Sequence, residues 1–351
     1  MSARLFVPTP LFSPAAVELF EAEGAEVVWG LPRAAMEAAG PERIGAVEGE
    51  IEAELERRLE EIDALFAIVM YRQLEVSAEL LARAPRLRVV FVPSAGTDAI
   101  DVEAASAHGV AVVSAPGNNL VAVAESTVGM ILAAQRKIVL SDRLGRAAGR
   151  AATLAELGGP PGIVRGKTVG LVGFGFTGRE IGRICGALGM EVLAHDPFAD
   201  PVEARRLGVE PVHDLEELLA RADFVSLHCP LTAATRGIIG AAELAAMKPT
   251  AVLVNTSRGP TVDTAALVAA LRAGEIAAAA LDVTDPEPLP AGHELFALDN
   301  AFLTPHLAGV APELLPAAVE TSTRGALAVL RGERPRNLVN PAAELRPGVA
   351  A

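Results

Sequence analysis

Short apolar runs alternate with stretches whose apolar residues recur every three to four positions along almost the whole chain. In the first hundred residues ARLFVPT, AEVVWG and ALFAIVM have strand length, and AVELFEAEG and IEAELERRLEEID carry an apolar stripe among charges. That alternation predicts the β-α-β rhythm of a parallel sheet. SAELLARAPRLRVVFVPSAG and DVEAASAHGVAVVSAP continue it, with Ser77 as an N-cap and Gly109 as a helix end ahead of VAVV, so a first α/β unit closes near Pro116. VAVAESTVGMILAAQRKIVLSDRL then predicts one long crossover helix, and GRAAGRAATLAELGGPPGIVRGK, rich in Gly, Ala and Pro, a surface loop. A second series starts at KTVGLVGFG and runs through MEVLAHDP, ADFVSLHCP, AVLVNTS, EIAAAALDV and AFLTPH. Each run ends on polar or Gly/Pro residues, where an open α/β sheet presents its binding groups. APELLPAAVETSTRGALAVLRGE predicts a closing helix, and no repeat of solenoid period is present.

Composition changes this picture in two ways. A chain of 351 residues that is 51 % apolar can bury two cores rather than one. Its 30 basic and 44 acidic residues give a net charge of −14, which disfavours nucleic acid and anionic membrane surfaces as partners. An anionic substrate then has to be drawn in by one or two well-placed arginines. The opening MSARLFVPTP lacks a signal-peptide core, and nowhere do about 18 uncharged apolar residues follow one another, so a cytoplasmic location is expected. Cys185 and Cys229 form no CxxC pair and no cluster with histidine at metal spacing, predicting reduced thiols and no metal.

TVGLVGFGFTGREIGRICGALGMEVLAHDP places Gly173, Gly175 and Gly178 in GxGxxG spacing after a strand and before a helix. The first glycine permits a tight turn, the second lets backbone approach a pyrophosphate, and the third lets helix pack on strand. The helix N-terminus would face the phosphates. Ile181, Ile184, Cys185 and Leu188 form its sheet-facing stripe, which puts Cys185 in the core. Asp196 ends the next strand 18 residues beyond Gly178, where an acid accepts hydrogen bonds from an adenosine ribose and repels a 2′-phosphate. Pro197 and Phe198 supply no cation there, which predicts NAD over NADP, with Arg205 and Arg206 as the nearest counter-argument.

Three later strand ends carry a second set of polar residues. Arg258 follows AVLVNTS and is turned by Gly259 and Pro260, Glu287 stands between two prolines in LDVTDPEPLP, and His306 follows Pro305 in AFLTPHLAG. Hydride transfer to a 2-oxo acid needs a cation for the substrate carboxylate, a proton donor for the carbonyl oxygen and a partner that keeps the donor charged; Arg, His and Glu match these roles. Each residue alone also fits an ordinary role as a surface ion pair, a solvated acid or a satisfied histidine. His108, His213 and His293 are expected on surface loops, while His228 and Cys229, in SLHCPLT, fall on the cofactor side.

With SAGTDAID, AVAESTVGMILAAQRK, VGLVGFGFTGREIG, HDP, SLHCPLTAATRGIIG, NTSRG, ALDVTDPEP and LTPHLAG in order, the sequence resembles the NAD-dependent D-isomer-specific 2-hydroxyacid dehydrogenases over nearly its whole length. The resemblance implies two Rossmann-like α/β domains with parallel sheets. A cofactor domain, residues 119–306, would be inserted into a discontinuous substrate domain, residues 1–118 with 307–351. It implies Arg258 as the substrate anchor, Glu287 and His306 as the acid/base pair, and Asp282 beside the nicotinamide carboxamide. Gly173, Gly175, Phe176, Thr177, Gly178, Asp196, His228, Cys229, Pro230 and Thr256 would line the cofactor. Backbone N–H groups of Ala95 and Gly96 would bind the substrate carboxylate, although a plain strand-to-helix turn fits that stretch equally well. Tyr71 and Arg72 fall where relatives touch the far end of the substrate.

The glutamate at 287 separates the chain from formate dehydrogenases, which carry glutamine there, and PEPLP is most similar to glyoxylate and hydroxypyruvate reductases and phosphoglycerate dehydrogenases. The loop at 141–166 lacks the tryptophan many relatives carry, although a homodimer through the cofactor domain is still expected. The implied reaction reduces a 2-oxo acid to a D-2-hydroxy acid, His306 protonating the carbonyl oxygen, and Glu287 should raise the histidine pKa above its usual value of about 6.5. The second function class is an NAD(H)-sensing, corepressor-like binding protein with little turnover, which would retain the same Arg, Glu and His.

Overall fold

The structure, a computed structural model, describes residues 3–9, 14–31, 34–35, 44–69 and 72–347. Two compact units divide the chain: residues 1–119 with 311–351, and residues 120–310.

The first unit carries β1 (Arg4–Val7), β2 (Glu26–Trp29), β3 (Ala64–Phe66), a small antiparallel pair β4 (Ile68–Val69) and β5 (Arg72–Gln73), then β6 (Val89–Phe91) and β7 (Ala111–Val113). Five of these form a parallel sheet in the order β2-β1-β3-β6-β7. Alternation explains why its strands read as unbroken apolar runs. Phe6, Leu65, Val90 and Val112 face one core with Leu55, Leu59 and Leu81, while Leu5, Phe66, Val89, Phe91 and Val113 face the other with Phe20, Val319 and Leu330. Both faces of a parallel sheet are thus covered by helices. Ser77 caps its helix as expected, accepting from Leu80 N–H at 3.3 Å. The C-terminal segment returns to this unit: its helix Leu315–Leu330 packs on β6 and β7. Beyond it, Asn340 Oδ1 accepts from Val112 N–H (2.9 Å) and Val112 C=O accepts from Val339 N–H (2.8 Å).

The second unit holds β8 (Thr168–Val172), β9 (Glu191–His195), β10 (Glu210–Pro211), β11 (Phe224–Leu227), β12 (Val252–Asn255), β13 (Ala278–Leu281) and β14 (Ala301–Leu303). All are parallel, in the order β10-β9-β8-β11-β12-β13-β14. The chain winds one way from β8 to β10, then crosses to β11 and winds the other way, so a switch point opens at the carboxyl ends of β8 and β11. Register aligns those ends, with His195, Val172, Leu227, Asn255, Leu281 and Leu303 at one level across six strands. Ile181 and Cys185 of helix Phe176–Ala187 are fully buried against this sheet, and burial pushes the Cys185 thiol up to about 12. It is a core residue, as the stripe predicts.

The expected single crossover helix is two, Leu120–Gln135 and Ile138–Ala148. The break falls at Lys137, whose φ is 55°, and the second helix runs to Ala148, into the segment expected to be loop. Lys137 Nζ donates to the carbonyls of Leu157 (2.5 Å) and Gly159 (3.3 Å), and Arg136 Nη1 to that of Gly162 (3.0 Å). Contacts from 20 and 22 residues away therefore hold a left-handed residue that local propensity disfavours. No described helix is long and apolar enough to cross a membrane, and the described residues include no group of three or more potential metal ligands.

Candidate active site

The glycine turn beyond β8 meets the chain at three different levels of crowding. A Cβ on Gly173, whose φ is 99°, would lie 2.7 Å from Cys229 N, and one on Gly178 would lie 2.4 Å from Gly173 O. These glycines let β8, β11 and the helix close on one another. A Cβ on Gly175 would meet nothing within 4 Å. The middle glycine thus leaves its backbone open to a pyrophosphate at the start of the helix, the cradle that a dinucleotide requires. Gly175→Ala is accordingly expected to leave the melting temperature unchanged and raise the Kd for NADH by about tenfold, since the added methyl meets ligand and not protein; calorimetric titration and a thermal melt check this.

Asp196 is fixed against the same turn. Its Oδ2 accepts from Phe174 N–H (2.8 Å) and its Oδ1 from Phe198 N–H (2.9 Å), while His195 C=O accepts from Gly173 N–H (2.9 Å). Phe176 is exposed and Thr177 half-buried at the head of the helix. Across the switch point, His228 shares a 2.8 Å hydrogen bond between Nε2 and Ser226 Oγ. The residue is half-buried, and burial among protein atoms pushes its pKa down to about 3, so it is a neutral imidazole at physiological pH. Burial also raises the Cys229 thiol, and Pro230 beyond it is exposed. Thr127 Oγ1 donates to Val123 C=O (2.7 Å), so the 2.9 Å contact between Thr127 and Thr256 is donated by Thr256.

The turn beyond β12 is built from Asn255. Its amide nitrogen donates to Arg258 C=O (2.9 Å) and its amide oxygen accepts from Ser257 N–H (3.0 Å) and Oγ (2.8 Å). Thr261 Oγ1 adds a second bond to Arg258 C=O at 2.6 Å, and Arg258 Nη1 donates to Ser257 C=O at 2.7 Å. Gly259 presses this turn on the loop after β13: a Cβ there would sit 1.8 Å from Thr284 O. Thr264 Oγ1 donates to Asp285 C=O at 2.8 Å, tying the same two segments. Gly259→Ala should therefore separate the arginine turn from the Glu287 loop and cost at least the roughly 1–3 kcal/mol of an overpacked site, measurable as a lowered denaturation midpoint.

In the loop after β13, Glu287 Oε1 accepts from His306 Nδ1 at 2.5 Å and Oε2 from Thr284 N–H at 3.4 Å. The peptide bonds Asp285–Pro286 and Glu287–Pro288 are cis. With Nδ1 turned to the carboxylate, Nε2 is the ring nitrogen left to exchange a proton. The hydrogen bond to Glu287 is the largest influence on His306 and raises its pKa above 6.5; burial and the Arg258 charge oppose it, and the charges of Glu287 and Asp282 add to it. His306 has a φ of 56°, and Asp282 supports that backbone. Its carbonyl accepts from His306 N–H (2.8 Å), and its carboxylate accepts from Thr304 Oγ1 (2.5 Å) and the N–H groups of Leu307 and Ala308 (2.9 Å each).

Arg258, Glu287 and His306 are thus brought together at one sheet edge, while Asp282 lies buried beneath the histidine turn. The sequence marks Gly259 only as a turn former and does not single out Asn255 or Thr261; an asparagine closing an apolar strand ahead of an arginine turn is the signal that marks them. Ala95 and Gly96 lie in the first unit, in the bend after β6, where Ser94 Oγ donates to Gly96 C=O at 3.0 Å. Arg72 pairs through its backbone with Val69, and Tyr71 lies outside the described residues. His213 is exposed, His108 and His293 are half-buried, and His293 Nδ1 accepts from Leu295 N–H at 3.2 Å.

A doubly wound parallel sheet with an open glycine cradle at its switch point and an acid at the end of the next strand defines a dinucleotide-binding domain. Residues 128–308 match the family model described as the NAD-binding domain of D-isomer-specific 2-hydroxyacid dehydrogenases. The chain is 41 % identical over 295 residues to a glyoxylate reductase from Thermofilum pendens, covering 82 % of this chain and 84 % of that one. It is 38 % identical over 302 residues to a D-3-phosphoglycerate dehydrogenase from Methanocaldococcus jannaschii, covering 85 % of this chain and 56 % of that longer relative. Among solved structures, a holo form of Rhodotorula graminis D-mandelate dehydrogenase is similar with a TM-score of 0.80 at 27 % identity, covering 99 % of this chain and 100 % of that one. The chain belongs to the D-isomer-specific 2-hydroxyacid dehydrogenase family and is an NAD-dependent oxidoreductase.

Proposed function

We propose that the chain interconverts a small 2-oxo acid and its D-2-hydroxy acid, with His306 as acid/base, Glu287 as the partner that keeps it charged, and Arg258 as the anchor of the substrate carboxylate. The observation that carries this reading is the bond between His306 Nδ1 and Glu287 Oε1 at the sheet edge where Arg258 also lies. Bound NADH supplies the hydride for reduction. In that direction His306 Nε2 gives its proton to the carbonyl oxygen as that oxygen gains charge, and Glu287 stabilises the imidazolium beforehand. In the oxidative direction the neutral ring takes the hydroxyl proton. Arg258 holds and orients the carboxylate through its planar fork, and the N–H groups of Ala95 and Gly96 are assigned to the same carboxylate, with Arg72 toward the far end of the substrate.

Gly173, Gly175, Phe176, Thr177, Gly178 and Asp196 are assigned to the dinucleotide, with His228, Cys229, Pro230, Thr256 and Asp282 along its nicotinamide half. Asp196 favours NAD over NADP because a carboxylate beside the ribose repels a 2′-phosphate. A homodimer and a cytoplasmic location belong to the same reading. The names of the relatives point to glyoxylate and to the 2-oxo form of 3-phosphoglycerate as the substrates to try first, and the resemblance of PEPLP adds hydroxypyruvate. Oxidation of NADH against these, pyruvate and bulkier 2-oxo acids tests the proposal: turnover with at least one is expected. NADH binding without turnover across the panel would replace the enzyme by a coenzyme-sensing binding protein.

A further inference from the structure

Arg179 meets the glycine turn that Asp196 also holds, Arg205 and Arg206 end the helix that follows β9, and one carboxylate bonds Arg206 and faces Arg179. Phe174 N–H is accepted by Asp196 (2.8 Å), and Phe174 C=O accepts from Arg179 Nε (3.3 Å), whose guanidinium also lies over the Phe174 ring at 5.7 Å. Asp196 and Arg179 are therefore fastened to the two ends of one residue in the glycine turn. Helix Pro201–Arg206 begins five residues after Asp196. On it, Glu203 accepts from Arg206 Nε (2.9 Å) and Nη2 (3.0 Å), and its Oε1 lies 4.0 Å from Arg179 Nη1. The glutamate side chain is 29 % exposed against 73 % for Arg206 and 40 % for Arg179, so the acid sits inside the cluster and the cations around it. Arg205 Nη1 donates to Pro201 C=O at 3.5 Å.

We propose that Glu203 is a second determinant of coenzyme choice, which keeps Arg179 and Arg206 occupied and so withholds the cations that a 2′-phosphate would need. The inference rests on the reading that Asp196 receives the adenosine ribose. A phosphate monoester and a carboxylate compete for the same guanidinium fork. As long as Glu203 holds Arg206 bidentately, an arriving phosphate has to break that pair. Removing only the Asp196 charge relieves repulsion without releasing a cation. Removing both acids leaves Asp200, already accepting from Val202 N–H at 2.8 Å as a helix cap, and Glu210, which is bonded to Arg221 and feels the Arg205 charge, against three arginines.

Calorimetric Kd values for NADH and NADPH test this on wild type, Asp196→Ser, Asp196→Ser/Glu203→Gln and Asp196→Ser/Glu180→Gln. The last is a control, because Glu180 pairs with Arg183 at the same i,i+3 spacing on helix Phe176–Ala187. NADPH should bind about tenfold more tightly to the Glu203 double variant than to Asp196→Ser, the worth of one freed charge-assisted bond. The control should match Asp196→Ser, and adding Arg206→Met should cancel the gain. Equal tightening from Glu180→Gln, or none from Glu203→Gln, overturns the proposal. If Asp196→Ser does not fold, Glu203→Gln alone should lower the NADPH:NADH Kd ratio where Glu180→Gln does not, and an unmoved ratio overturns it equally. Wild type binding NADPH as tightly as NADH would overturn the ribose reading itself, and the role of Glu203 with it.

Discussion

His306→Asn is expected to lower kcat for 2-oxo acid reduction by about 10²- to 10⁴-fold, the range that a positioned proton donor supplies, while NADH binding and the melting temperature stay close to wild type. Asparagine suits the test because it tolerates the left-handed backbone that His306 adopts at φ 56°, so the N–H bond to Asp282 C=O can persist. The ion pair removed is a half-exposed one, with the two side chains 48 % and 39 % accessible. A pair that open contributes little to folding, so loss of turnover without loss of stability would isolate chemistry from architecture. Unchanged kcat would take the proton donor elsewhere.

The second large effect belongs to Arg258. Its carbonyl is held by both Asn255 and Thr261, so the turn survives a change of side chain. Arg258→Gln should then remove the anchor and leave its scaffold. A charge pair of this kind is worth about 2 to 5 kcal/mol when its partner is left buried, or roughly 30-fold to several thousand-fold in kcat/KM for the 2-oxo acid. The Kd for NADH should not move. The variant also takes away a charge that lowers the His306 pKa, so the pH at which reduction fails should rise slightly where activity can still be measured. A fall in NADH affinity equal to the fall in kcat/KM would assign Arg258 to the coenzyme instead.

Much of this site could be read from sequence because its parts follow local rules. GxGxxG between a strand and a helix, an acid closing the next strand, and polar residues at successive strand ends each depend on a few adjacent residues, and parallel winding then places them on one edge. What escaped notice depends on distant partners. The break at Lys137 is held by the carbonyls of Leu157 and Gly159, which no helical pattern over 120–148 contains. The positioning work of Asn255 is likewise invisible in NTSRG alone, since asparagine at a strand end fits any turn. Asp282 has a structural role that ALDV alone does not show. The resemblance implies a place beside the nicotinamide, and its carboxylate accepts from Thr304, Leu307 and Ala308, organising the turn that carries His306.

The two prolines around Glu287 signalled a constrained acid, and that acid meets His306 19 residues later in the chain. The pH dependence of the pair offers the sharpest test. Reduction needs the protonated ring, so its rate should be full at low pH and fall as pH rises through the raised His306 pKa. Oxidation, which needs the neutral ring, should gain over the same window. Glu287→Gln removes the largest of the raising influences and leaves burial and the Arg258 charge acting downward. Steady-state kcat/KM for NADH-dependent reduction, measured from acid to alkaline pH in wild type and Glu287→Gln, should show the falling limb displaced to lower pH in the variant. A limb that stays where it is in the variant would contradict the His306–Glu287 assignment at the centre of this account.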